Sequence, residues 1–131
     1  MSKTGSLKYA VIGSREFTDY EYLKSILTCY KFSSIISGGA KGADCLARRY
    51  AIDNNIRLVE FFPDWEKLGK SAGVIRNRQI VEASDVVIAF WNGMSRGTAS
   101  SIKIARRANK EVFIFWPPSP LKADQILGEI G

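Results

Sequence analysis

Apolar runs and turn residues alternate along the chain with a regular spacing. Leu7-Lys8-Tyr9-Ala10-Val11-Ile12 reads as a strand closed by Gly13-Ser14. Asp19 is placed to cap a helix running to about Tyr30. Ser34-Ile35-Ile36 is a short strand entering Ser37-Gly38-Gly39. Ala43, Leu46, Ala47, Tyr50 and Ala51 then recur at helical spacing, giving one apolar face. Residues 57–62 form a third strand stopped by Pro63, and a polar loop follows from Asp64 to about Ser71. Residues 72–84 read as a helix. Val86-Val87-Ile88-Ala89-Phe90-Trp91 is apolar throughout, as a central parallel strand covered on both faces requires. Residues 97–109 read as a fourth helix and residues 111–116 as the last strand, ended by Pro117-Pro118.

The order β-α-β-α-β-α-β-α-β predicts an α/β, three-layer Rossmann-like fold. Its five-stranded parallel sheet takes the order 3-2-1-4-5 with helices on both faces. Residues 1–6 read as a flexible N-terminus, 7–116 as one domain, and 117–131 as a tail with a short helix.

Composition narrows the chemistry. The chain has 131 residues and no histidine, which removes His-dependent triads, His metal sites and a histidine pH switch. No cluster of soft metal ligands is evident, so neither a metal nor a cofactor is expected. Cys29 and Cys45 lie outside any CxxC pattern; their number allows one bridge, but two buried free thiols in a reducing compartment are the favoured reading. No run of 18 apolar residues occurs, so a soluble cytoplasmic protein without a membrane partner is expected. The net charge of +6 favours anionic partners such as nucleotides, phosphorylated metabolites or nucleic acid, although a basic surface also serves solubility.

In an open parallel sheet, ligands bind outside the carboxyl ends of the strands. The unusual residues gather on that edge: Gly13-Ser14-Arg15, the turn 37–44, Pro63-Asp64-Trp65 and the turn 91–98. Two of these turns are glycine-rich and open helices, whose free N–H groups and dipoles attract anions. Residues 37–43 and 93–98 are therefore two candidate anion cradles, with hydroxyls from Ser37, Ser95 and Thr98 and charge from Lys41 and Arg96. Ordinary turn glycines with capping hydroxyls would leave the same pattern. Gly69-Lys70-Ser71 ends like a P-loop but has Asp64 where that motif needs glycine, and no GxGxxG follows the first strand.

Arg76, Ile80 and Ala83 share a helix face by their spacing, so Arg76 should point inward beside the strand ends. It suits a bidentate phosphate contact; the alternative is a surface arginine or an ion pair with Asp64 or Glu82. Phe62, Trp65 and Trp91 lie near the same edge. Trp65, in a polar loop, is the better stacking platform for a base; Phe62 reads equally as packing.

These segments resemble a known family. Residues 13–19, 37–44, Phe62-Pro63-Asp64-Trp65 with Gly69-Lys70, residues 72–77 and residues 89–98 match the motifs of the SLOG superfamily, in its small stand-alone YspA/YpsA-related type. The match spans about residues 9–115. The superfamily includes LOG-type phosphoribohydrolases and DprA-type DNA-processing proteins. The resemblance implies a Rossmann-like domain binding nucleotides or nucleotide-derived ligands, often as a homo-dimer or tetramer, with nucleotide signalling or phage conflict as settings. It implies ligand contacts among Gly13, Ser14, Arg15, Ser37, Gly38, Gly39, Lys41, Gly42, Trp65, Lys70, Asn77, Trp91, Asn92, Gly93, Ser95, Gly97 and Thr98. LOG enzymes pair an arginine on the third helix with a glutamate just after the Gly-Thr turn. Arg76 matches the arginine, but Ala99-Ser100-Ser101 supplies no acid. With Arg76, the candidate catalytic groups are Asp44 and Asp64.

Three functions are expected on these grounds. The first is a binder, sensor or sequestering protein for a phosphate- and ribose-containing ligand. The second is an N-glycosidic phosphoribohydrolase acting on a nucleoside monophosphate. The third is DprA-like nucleic-acid binding. The strand-end regions 13–19, 37–44, 63–78 and 92–98 hold seven Lys/Arg against five Asp/Glu, a small excess for the third.

Overall fold

The computed structural model describes residues 6–117. The N-terminal segment 1–5 and the expected tail helix lie outside the described residues. Five parallel strands, β1 (Leu7–Gly13), β2 (Phe32–Ser37), β3 (Arg57–Glu60), β4 (Val86–Phe90) and β5 (Glu111–Phe115), stand in the order β3-β2-β1-β4-β5, as the alternation predicts. Five helices connect them: α1 (Tyr20–Leu27), α2 (Ala43–Asp53), the short α3 (Trp65–Leu68), α4 (Ala72–Ala83) and α5 (Arg96–Arg107).

The pleat sorts the core into two layers. Tyr9, Val11, Ile35, Ile88 and Phe90 point to one face, where Leu23, Leu27, Ala47 and Tyr50 from α1 and α2 cover them. Ala10, Ile12, Ile36, Val87 and Ala89 point to the other, beneath Ile80 and Val81 of α4 and Ile102 and Ala105 of α5. β4 is buried at every position, which is why its sequence shows no alternation.

Three sequence expectations are corrected. The loop 64–71 contains α3 and a 3-10 turn over Gly69–Ser71, because the Asp64 carboxylate accepts the Lys67 N–H at 3.1 Å and caps them. β3 ends at Glu60, not Phe62: the Phe61 N–H still bonds the Ser37 carbonyl, but the chain then leaves the sheet and Phe62 is 60% exposed. Cys29 and Cys45 are free as expected but exposed, not buried. Cys45 falls on α2 opposite the Ala43, Ala47 and Ala51 stripe, so the buried face excludes it.

Among the described residues, no helix is long and apolar enough to cross a membrane.

Candidate functional site

The chain changes direction between β1 and β4, which are neighbours in space but not in sequence, and a cleft opens at their carboxyl ends. It encloses about 300 Å³ and is lined by Ile12, Gly13 and Arg15 after β1, Ala40 and Asp44 around the start of α2, Arg76, Asn77 and Ile80 of α4, and Ser95 to Thr98 with Ser101 of α5. Of the sequence-predicted residues, Gly13, Arg15, Asp44, Arg76, Asn77, Ser95, Gly97 and Thr98 meet there. Arg96, expected to add charge to the 93–98 turn, joins them, and Ile12, Ala40, Ile80 and Ser101 complete the lining. Ser101 stands one turn after Gly97 on α5, and that spacing was the signal that could have found it.

The two glycine turns differ in kind. The turn at 37–42 is filled by the protein's own groups. A Cβ at Gly38 would meet Arg76 Nη1 at 2.6 Å and Asp44 Oδ2 at 3.0 Å. One at Gly39 would meet the Phe62 ring, and one at Gly42 the Ser14 and Arg15 carbonyls. Ala43 N–H donates to the Ser14 carbonyl at 3.2 Å, so the start of α2 is joined to the loop after β1. These glycines serve close packing within the chain rather than an open cradle. Lys41 is exposed and, like Ser37, Gly38, Gly39 and Gly42, is absent from the cleft lining.

The turn at 93–98 is open. Ser95 caps α5, its Oγ accepting the Thr98 N–H at 3.4 Å. Asn92 Oδ1 accepts the N–H groups of Met94 at 2.8 Å and Ser95 at 3.2 Å, and the Ser14 hydroxyl donates to it at 3.2 Å. Ser14 and Asn92 are thus braces that fix the turn from behind. Trp91 acts likewise, its Nε1 donating to the Ser95 carbonyl at 2.9 Å while its ring packs on the α4/α5 core. The Arg96 and Gly97 amides have no acceptor among the described residues and remain for an anion. A Cβ at Gly97 would meet nothing within 4 Å. Gly97→Val should therefore keep the melting temperature and weaken ligand affinity about tenfold or more, by placing a side chain in the cleft. Titration of the folded variant checks this, and unchanged affinity would remove the turn from the site.

Arg76 and Asp44 form the electrostatic centre. Arg76, half-buried in α4, donates from Nη1 to the Gly38 carbonyl at 2.8 Å and from Nε to Asn77 Oδ1 at 3.0 Å. Neither Asp64 nor Glu82 pairs with it; the carboxylate beside it is Asp44. It sits one full turn into α4 rather than in the first turn, so the backbone carbonyl, not the helix dipole, fixes its direction. Burial lowers its pKa, with Asp44 opposing and Arg15 assisting.

Asp44 is 6% exposed. Burial raises its pKa above the ordinary value, against the Ala40 N–H at 3.1 Å, the charge of Arg76, the Ser37 hydroxyl and the Gly38 N–H. Ser37 Oγ is itself buried and completes no hydrogen bond of ordinary geometry. A carboxyl whose folded pKa is raised binds more protons folded than unfolded, so the fold loses stability as pH rises from the unfolded value through the folded one. Asp44→Asn removes that loss. The melting-temperature difference, variant minus native, should grow as pH rises above the ordinary carboxylate range; a flat difference would mean that Asp44 titrates normally.

The remaining candidates lie apart from the cleft. Asp64 caps α3, and Lys70 is exposed in the 3-10 turn. Trp65 is 57% exposed, with its ring near Gly73, and Gly93 takes φ +84° in the exposed bend before α5.

Residues 8–68 match the model of the YspA, cpYpsA-related SLOG family. The Gene 61 protein of Mycobacterium phage D29 is 39% identical over 87 residues, covering 62% of this chain and 70% of the phage protein. The chain belongs to the YspA, cpYpsA-related SLOG family. Two solved structures share its fold. DNA processing protein A from Helicobacter pylori, described with a single-stranded DNA binding mode, superposes with TM-score 0.66 at 24% identity, over 94% of this chain and 72% of that one. DNA processing protein A from Streptococcus pneumoniae gives TM-score 0.69 at 23% identity, over 87% of this chain and 51% of that one. The family match covers β1 to α3, so this SLOG chain draws Arg15 and Asp44 from the matched half and Arg76, Asn77 and the α5 turn from the other.

Proposed function

We propose that the protein binds a nucleotide or nucleotide-derived ligand in the cleft at the carboxyl edge of the sheet, as a sensor or sequestering protein. The observation that carries this reading is the convergence of Arg15, Arg76 and Arg96 with two open amides of α5 on a space of about 300 Å³. Three cations face a single carboxylate there, so the cleft favours an anionic group, and the lining hydroxyls of Ser95, Thr98 and Ser101 suit phosphate or ribose oxygens. Ile12 and Ile80 give it an apolar floor. Phe62, Trp65, Leu68 and Val74, outside the cleft around α3 and the start of α4, are exposed and support a homo-dimer or tetramer as part of the same reading. The free thiols fit a reducing, cytoplasmic setting.

Asp44 favours a second reading, N-glycosidic hydrolysis of a nucleoside monophosphate. It is a buried carboxyl in the cleft beside Arg76, with a raised pKa suited to a general acid. Asp64 is the weaker candidate, because its carboxylate is engaged as a helix cap.

One experiment separates the two. The protein is incubated with nucleoside mono-, di- and cyclic phosphates, and each sample is read by thermal shift and by liquid chromatography. A stabilising shift with intact nucleotide supports the binder. Release of free base supports the hydrolase. No shift and no release across the panel would overturn both.

A further inference from the structure

The two helical layers carry different charge. α1 and α2 together hold three cations (Lys24, Arg48, Arg49) and three carboxylates (Glu21, Asp44, Asp53). α4 and α5 together hold six cations, Arg76, Arg78, Arg96, Lys103, Arg106 and Arg107, against Glu82 alone. The net charge of α4 and α5 is thus +5, and that of α1 and α2 is zero.

Pairing sharpens the contrast. The ion pairs among the described residues are Arg48–Glu60 at 3.0 Å and Arg49–Asp53 at 3.7 Å, so both of α2's arginines are engaged. Every exposed cation of α4 and α5 is without an ion pair among the described residues. α5 contains no acid at all. Its buried stripe is Thr98, Ser101, Ile102 and Ala105. The opposite face therefore aligns Arg96, Lys103 and Arg107, seven and four residues apart, over roughly 16 Å at 1.5 Å per residue. The stripe begins at the rim of the cleft, where Arg96 lines it.

Such a one-sided, unpaired row of cations repels itself and costs stability unless a polyanion lies on it. The geometry points to a phosphodiester backbone: we infer that the outer face of α4 and α5 is a binding surface for a nucleic-acid strand, contacted through its phosphates without base readout. Three observations select this partner. The cations are spaced along a line, as successive phosphates are. The exposed positions of α5 include no large apolar side chain, so the helix lacks the face that inserts into a lipid interface. Three of the four cations of α5 are arginines, whose fork suits phosphate. The row shares Arg96 with the cleft, while Lys103 and Arg107 lie outside its lining and carry the test.

The test uses the full chain and a fluorescent oligothymidylate of about twenty nucleotides. Affinity is measured across a salt series for three proteins: native, Lys103→Gln/Arg107→Gln, and Lys24→Gln/Lys31→Gln as a variant of equal net charge. Each lost phosphate contact on a single strand removes about 0.7 from the slope of log K against log salt. The α5 variant should therefore lose about 1.4 of slope and bind about tenfold or more weakly at low salt. The control should keep the native slope. Equal losses in both variants would show a net-charge effect and overturn the proposal. So would failure of the native chain to bind the strand, including the case where it binds phosphatidylserine vesicles instead. Thermal shift with a mononucleotide is read on the same variants. An unchanged shift there keeps the cleft reading separate from this one.

Discussion

Gly42→Ala should destabilise the fold by about 2–6 kcal/mol. Gly42 is the N-cap of α2 with φ +75° and ψ −127°, a conformation that only glycine adopts without strain. Its Cα also faces the Ser14 and Arg15 carbonyls, which are backbone atoms and cannot rotate aside. The conformational strain costs about 1–3 kcal/mol and the overpacking a similar amount. Their combination approaches the stability of an ordinary domain, about 5–15 kcal/mol. Urea denaturation, or circular dichroism if the variant is already unfolded, checks this. A loss below about 1 kcal/mol would show that the loop after β1 moves freely away from α2.

Arg76→Ala should weaken ligand binding by about 1.5–3 kcal/mol, the range for hydrogen bonds to a charged group. That is roughly ten- to 150-fold in affinity. The fold should survive, because the guanidinium is only half-buried and its partners are a backbone carbonyl and an amide side chain. A second effect comes with it. Arg76 opposes the burial that raises the Asp44 pKa, so its loss should move that pKa further up. Any pH dependence of binding set by Asp44 should then shift to higher pH in the variant. Native affinity in a folded Arg76→Ala protein would remove this arginine from the site.

Much of the fold was legible because its signals are local. The unbroken apolar run 86–90 marks a central strand, and glycine turns mark the strand ends. Strand order followed from alternation and right-handed crossovers. α3 escaped notice because four residues give no periodicity, and the Asp64 cap that starts it looks like any loop aspartate. The site was legible as an edge but not as a surface. Sequence placed Gly38 and Gly97 in equivalent motifs, yet Gly38 is packed between Arg76 and Asp44 while Gly97 faces open space. Which of two glycine turns is filled depends on side chains distant in the chain, such as Arg76 beside Gly38, and no local pattern reports that. The burial of Asp44 belongs to the same class. It sits beside the apolar stripe of α2, not in it, and is enclosed only when the 37–40 turn and Arg76 close around it.

The cleft straddles the junction between β1 and β4. Arg15 and Asp44 come from the first three strands and their connections, while Arg76 and the α5 turn come from the elements beyond β3. α4, although it belongs to the second portion, lies over Ala10, Ile12 and Ile36 of β1 and β2. Neither portion can bury its apolar surface alone, and neither carries more than part of the charge constellation. The cleft is therefore complete only when α5 is docked beside α4. A ligand of the kind proposed for the cleft would touch both portions at once and act as a clasp that resists their parting.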